Sequence, residues 1–136
     1  MIQQGFSIGD NDWRLTIYYD VRERNLNEVY HSLLANGCDN HRAQRACMVL
    51  SRPDKGYTYT NFDKHTTIVF ISRTTDAEQM YDSIQHETKH VVEHISEYYD
   101  VDPKSEESAY LQGEIARLMF PAAVIVACPM CNHVEK

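Results

Sequence analysis

The pattern of apolar and polar positions divides the first half of the chain into one strand and two helices. Residues Trp13 to Val21 are rich in aromatic and β-branched side chains with partial alternation, which is typical of a strand. From Asn25 to Ala35 the apolar residues recur at helical spacing, with Asn25 in position to cap the start and Gly37 just beyond the end. A second short helix is predicted from about Asn40 to Leu50.

The second half of the chain predicts two strands followed by two helices. The strands are Tyr57 to Asn61 and Thr66 to Ser72, and the second is apolar enough to be largely buried. We expect them to pair with each other and with the first strand. A helical pattern then runs from Thr75 to Tyr99, and a last helix is expected to begin near Pro103 to Ser105 and to end at about Phe120, where a proline follows.

This order of elements predicts one α+β domain over residues 1–136. A chain of 136 residues is long enough for one core, which would bury about two-thirds of the surface that the unfolded chain exposes. We expect a short, mostly antiparallel sheet packed on the two C-terminal helices.

The charge of the chain and its lack of a targeting sequence indicate which kinds of partner and compartment to expect. The net charge is −7, and the 13 Lys and Arg residues are scattered without forming a stripe, which argues against nucleic-acid binding. The N-terminus lacks the basic and apolar regions of a secretory signal, and the longest apolar run, within Met119 to Met130, is too short to span a bilayer. We therefore expect a soluble cytoplasmic protein that binds neither nucleic acid nor membranes. Its four cysteines are expected to be mostly reduced.

One motif in the Thr75 to Tyr99 helix carries recognisable chemistry. His86, Glu87 and His90 form an H-E-x-x-H sequence. Residues at i and i+4 share one face of a helix, so both imidazoles can reach one zinc ion while Glu87 lies beside them. Five letters alone are weak evidence, because two solvated histidines on an amphipathic helix would show the same spacing.

A catalytic zinc needs a third protein ligand, and a carboxylate on the next helix is a common choice. Glu106, Glu107 and Glu114 are the candidates. Glu106 shares a helix face with the small residues Ala109, Gly113 and Ala116, which would let the two helices approach closely. We therefore predict Glu106 as the third ligand, with Glu107 as the alternative.

The motif and the sequence around it resemble the zincin metallopeptidases. Within that group the chain is similar to the gluzincins, whose H-E-x-x-H helix is followed by a glutamate in an E-x-x-A segment, here residues 106–109. It also resembles the small peptidases that cleave phage repressors or act in radiation responses. The resemblance covers about residues 66–121, and at Tyr110 the chain departs from related sequences, which often carry Asp or Asn there.

The resemblance implies a zincin-like domain that hydrolyses a peptide bond in a protein or peptide substrate. His86, His90 and Glu106 would bind Zn²⁺, and Glu87 would be the general base that activates a zinc-bound water. Residues Thr66 to Ser72 would be the edge strand along which a peptide lies. The alternative function is a zincin-like module that binds a partner protein without catalysis.

Two further features are given plain structural interpretations. His94 continues the spacing of the histidine pair but lies nearer the apolar stripe, so we expect a partly buried, hydrogen-bonded histidine rather than a ligand. Cys128 and Cys131 form a C-x-x-C sequence without a second ligand pair, and we interpret them as incidental cysteines, with redox or accessory metal use as the alternative.

Overall fold

The structure is a computed structural model that describes residues 1–9 and 12–127. These residues form an α+β fold with a four-stranded mixed sheet, which confirms the predicted fold class. The strands are Ile2–Ile8 (β1), Trp13–Val21 (β2), Gly56–Asn61 (β3) and Thr66–Ser72 (β4). The helices are Leu26–Ala35 (α1), Asn40–Leu50 (α2), Ala77–Tyr98 (α3) and Glu106–Ala127 (α4).

The sheet has the strand order β1, β2, β4, β3. β1 pairs antiparallel with β2, β2 parallel with β4, and β3 antiparallel with β4. The predicted pairing of β3 with β4 and of β4 with β2 is confirmed, whereas the predicted pairing of β3 with β2 is wrong, because β4 lies between them. β1 was not predicted, because its sequence IQQGFSI has few strand-forming residues. The expectation that Thr66 to Ser72 is an edge strand is wrong: β4 lies inside the sheet, and six of its seven residues are buried. The edge strand on that side is β3.

The helices cover both faces of the sheet, and each face has its own apolar cluster. On one face, α1 and α2 pack through residues that include Val29, Leu33 and Leu50. On the other face, α3 and α4 pack against the side of β2 that carries Trp13, Leu15, Ile17 and Tyr19.

Helix α3 begins where the sequence predicted, since the Asp76 side chain accepts a hydrogen bond from the backbone N–H of Gln79. Its buried surface is wider and more polar than the predicted stripe. The helical period predicts that Tyr81, Tyr98 and Tyr99 belong to the apolar stripe of this helix, but all three are exposed. Their places in the interior are taken in part by polar side chains: Ser83, Glu87, Thr88 and Ser96 are all buried.

Helix α4 continues through Pro121 to Ala127, so the predicted end at Phe120 is wrong. Proline removes one hydrogen bond from the helix ladder. The helix nevertheless continues, because Ala122 and Val126 beyond the proline are buried in the core. α4 is also long and apolar enough to cross a membrane, a test of length and composition that core helices of soluble proteins pass as well.

Candidate metal centre

His86 and His90 lie one turn apart on α3 and bring their Nε2 atoms to 3.2 Å from each other. With zinc–nitrogen bonds of about 2.0–2.1 Å, two ligands of a tetrahedral site are separated by about 3.3 Å. The pair therefore has the spacing that a shared zinc ion requires. Both side chains are solvent-accessible, at 67% for His86 and 43% for His90, so an ion can reach them.

The Glu87 side chain, unlike the two exposed imidazoles, lies in the space between α3 and the edge strand β3. It is only 4% exposed, and its Oε1 accepts a hydrogen bond of 2.8 Å from the hydroxyl of Thr58. Its Oε2 lies 3.9 Å from Nε2 of His86. Burial raises the pKa of the Glu87 carboxyl, an effect that the hydrogen bond from Thr58 and the neighbouring histidines partly oppose.

Gly56, the first residue of β3, leaves space for the Glu87 side chain because it has no side chain of its own. A Cβ atom at this position would lie 2.6 Å from Cγ and Oε2 of Glu87, closer than real Cβ contacts come. Only glycine allows the strand to approach the helix while Glu87 keeps its position. Periodicity did not reveal this role, but a glycine at the start of a strand is a known sign of a close approach.

A cleft of about 240 Å³ opens beside His86, one member of the histidine pair. It lies between α3 and the turn that leads into β3, and a polar molecule can enter it from solvent. Its walls carry more polar than apolar surface, and its lining residues are Asp54, Lys55, Gly56, Asp82, Ser83, His86 and Glu87.

His94 is half-buried and its Nδ1 lies 2.8 Å from the hydroxyl of Thr60, which confirms the prediction of a partly buried, hydrogen-bonded histidine. A buried chain of hydrogen bonds continues from Thr60 to Thr67 and then to the indole N–H of Trp13. Since the indole only donates, every group in the chain is satisfied when Nδ1 of His94 accepts. Burial, with a smaller contribution from His90, lowers the pKa of His94, which favours the same neutral form.

The threonines that hold Glu87 and His94 were missed by the sequence interpretation. Thr58 and Thr60 alternate with tyrosines in the β3 sequence GYTYTN, so both threonines face α3. That alternation was the available signal. The partner of each threonine lies about thirty residues away in sequence, and no local pattern identifies it.

The predicted third ligand lies elsewhere. Glu106 and Glu107 occupy the first turn of α4, where both are exposed, and Glu114 is exposed as well. The face argument for Glu106 is wrong, because Ala109 and Gly113 are exposed and α4 approaches α3 through Ser108 and Met119, which contact Ser96 and Thr88. Within residues 1–9 and 12–127, no three His, Cys, Asp or Glu side chains gather in an arrangement that could hold a metal ion. Cys128, Cys131 and His133 lie outside the described residues.

Comparison with protein-family models, with curated proteins and with solved structures finds no match to this chain.

Proposed function

We propose that this chain is a zinc-dependent metallopeptidase of the zincin type, in which His86 and His90 bind the metal and Glu87 is the general base. The observation that carries the proposal is the pair of Nε2 atoms 3.2 Å apart beside a buried carboxylate. Two solvated histidines would give the spacing of the nitrogens, but they would not explain a glutamate that is 4% exposed and held by a threonine.

The histidine pair fits zinc by distance and by donor type, since imidazole nitrogen is a common zinc ligand. Zinc supplies Lewis-acid chemistry: it lowers the pKa of water and polarises a carbonyl. Glu106 stays our proposal for the third ligand, in keeping with the resemblance to gluzincins. The arrangement of the described residues does not itself support that choice, so Glu106 needs its own test.

The chain's own residues supply the proton transfer. A base is most effective when its pKa lies near the working pH, and burial moves the carboxyl of Glu87 upward from its ordinary value. Thr58 occupies Oε1, which leaves Oε2 on the side of His86 to take a proton from the attacking water and to return it to the leaving amine. β3 replaces β4 as the proposed edge along which an extended peptide would pair.

The second candidate is a zincin-like module that binds a partner protein without catalysis. The observation in its favour is that Glu106 is exposed and that no set of three metal-ligand side chains gathers among the residues that the structure describes. Such a module would keep the histidine helix and the edge strand but would hold zinc weakly or not at all.

Metal content separates the two candidates. Purified protein is reconstituted with zinc, dialysed and measured by elemental analysis, with His86→Ala, Glu106→Ala and Glu87→Gln beside the wild type. We expect about one zinc per chain in the wild type and in Glu87→Gln, and loss of zinc in the other two variants. Glu107→Ala is the matched control and should keep its zinc. A wild type without zinc would favour the binding module.

Catalysis is then tested on a peptide library digested by the zinc-loaded protein, with the cleavage products identified by mass spectrometry. Glu87→Gln should reduce cleavage by about 10²- to 10⁴-fold while zinc stays bound. Full activity in that variant would refute the role of Glu87. Loss of zinc in Glu107→Ala with retention in Glu106→Ala would move the third ligand by one residue and leave the rest of the proposal intact.

A further inference from the structure

A second cleft, of about 250 Å³, lies on the far side of the turn that borders the first. We infer that this arginine pocket is a binding site for the phosphate or diphosphate group of a small ligand. Four of the chain's 13 Lys and Arg residues line it, in a protein whose net charge is −7. Its lining residues are Val21, Arg22, Glu23, Arg24, Leu50, Ser51, Arg52, Pro53 and Arg73.

The backbone holds three arginine-bearing segments together. The N–H of Arg73 donates to the carbonyl of Val21 at 2.9 Å, which ties the residue after β4 to the end of β2. The N–H of Asp54 donates to the carbonyl of Arg73 at 2.8 Å, which ties the turn after α2 to the same point. The pocket therefore lies where the carboxyl ends of the parallel strands β2 and β4 meet, a common place for ligand sites in sheets with parallel strands.

One arginine is also oriented by a buried carboxylate. The pairing of β2 with β4 shifts register between Tyr18 and Val21, and Asp20 there adopts a φ of 57°, a left-handed conformation that is uncommon for residues other than glycine. Both carboxylate oxygens of Asp20 contact the guanidinium of Arg22, each at 3.1 Å. Bulges of this kind often re-aim a side chain next to a functional site, and here the bulge fixes the direction of Arg22.

The charge balance of the pocket favours an anion. Asp20 neutralises Arg22 in part, and Glu23 is the acidic residue among the lining residues, while the exposed Arg52 and Arg73 add two positive charges at the mouth. Bringing like charges together costs free energy, and a bound anion would offset that cost. The planar guanidinium fork matches phosphate oxygens in a bidentate manner.

The size of the pocket limits the ligand. Sites for drug-sized molecules occupy about 300–1,000 Å³, and this pocket lies below that range, so it fits one or two phosphate groups better than a whole nucleotide. The proposal does not depend on the peptidase function. The two clefts share only the turn between them, with Arg52 and Pro53 on one side and Asp54, Lys55 and Gly56 on the other.

The test is calorimetric titration of the full chain with inorganic phosphate, pyrophosphate and citrate. The pocket variant is Arg52→Gln/Arg73→Gln. The control variant is Arg45→Gln/Arg117→Gln, which removes the same charge from exposed positions outside the pocket. We expect saturable binding of pyrophosphate that weakens about tenfold or more in the pocket variant and changes less than about twofold in the control. Pyrophosphate should also raise the melting temperature of the wild type and the control, but not that of the pocket variant.

Four results would overturn the inference. Absence of saturable pyrophosphate binding by the wild type would remove the site. An equal loss of pyrophosphate affinity in the pocket variant and in the control variant would mean that binding depends only on the net charge of the protein. Citrate binding as tightly as pyrophosphate would refute the phosphate class. A phosphoserine peptide, titrated in parallel, distinguishes a phosphate carried on a protein from a free one, and tighter binding of the peptide than of pyrophosphate would refute the small-ligand assignment.

Discussion

The two helical layers that cover the sheet bury different chemistry. The buried residues of α1 and α2 are all apolar: Val29, Leu33, Ala43, Ala46 and Leu50. Helix α3 buries nine residues, and four of them are polar or charged: Ser83, Glu87, Thr88 and Ser96. Buried polar groups stabilise a fold only when their hydrogen bonds are made, and a buried carboxylate costs free energy even then. We infer that the α1–α2 layer mainly stabilises the sheet, while in the α3 layer the burial of Glu87, which belongs to the candidate site, costs free energy of folding.

The largest effect is expected in the apolar layer. Leu33→Ala should lower the free energy of unfolding by about 3 kcal/mol, because Leu33 is fully buried and its removal leaves a cavity. The measurement is urea unfolding followed by circular dichroism. Leu34→Ala is the control, since the neighbouring leucine is 37% exposed, and its cost should be below about 1 kcal/mol. Equal costs at the two positions would mean that this layer does not carry the stability that we assign to it.

The next effect concerns the contact between β3 and α3. Gly56→Ala should cost about 2 kcal/mol, because the new methyl group collides with the Glu87 side chain. In a Glu87→Ala background the same substitution should cost much less, which a double-mutant cycle would show as a coupling of about 1 kcal/mol or more.

Gly5→Ala is the control for the effect of alanine on a strand, because nothing lies within 4 Å of a Cβ at Gly5. A Gly56→Ala cost that is unchanged by removal of Glu87 would contradict the proposed reason for the glycine.

A smaller effect of the opposite sign is expected at Glu87 itself. Glu87→Gln should raise the free energy of unfolding by about 1 kcal/mol near neutral pH, since glutamine keeps the hydrogen bond from Thr58 and removes a buried charge. A raised carboxyl pKa favours the folded state below the unfolded pKa, and this contribution is lost as the pH rises through the folded pKa. The advantage of glutamine should therefore be greatest at neutral and higher pH.

Glu93→Gln on the exposed side of α3 is the matched substitution, with an expected change within about 0.5 kcal/mol. A Glu87→Gln protein that unfolds more easily than the wild type would show that the charge of Glu87 is well compensated.

The smallest effect is a pH dependence from His94. Its pKa is lowered in the folded state, so its contribution to stability is present above its ordinary value of 6.5 and is lost as the pH falls below it. Unfolding at about pH 7.5 and about pH 5.5 should show a loss of stability in the wild type that is smaller in His94→Asn. Asparagine keeps an acceptor near the position of Nδ1 for Thr60 and does not titrate. Identical losses in both proteins would assign the pH dependence to other groups.

Sequence patterns predicted the features of this structure that depend on the spacing of residues close together in the sequence. The helical period located α1, α2 and α3, and the i, i+4 spacing correctly placed the nitrogens of His86 and His90 side by side. The prediction that the last helix ends before Pro121 was wrong, because a helix that buries residues on both sides of a proline can tolerate the lost hydrogen bond.

The remaining features depend on contacts between distant segments. The interior position of β4 depends on its pairing with both β2 and β3. The sequence of one strand does not determine which strands will pair with it. The approach of Gly56 and Thr58 to Glu87 depends on how closely a strand and a helix pack, which composition and period do not determine.

The parallel pairing of β2 with β4 has a consequence for the order in which the chain folds. Arg14 pairs with Thr66, so α1, α2 and β3 must all be traversed before this pairing closes, and closing so long a loop is slow. Gly56, Thr58, His86, Glu87, His90 and His94, by contrast, belong to a hairpin and the helix that follows it directly. We expect the β3–β4 hairpin and α3 to associate early, so that the candidate site takes shape before the sheet that supports it is complete.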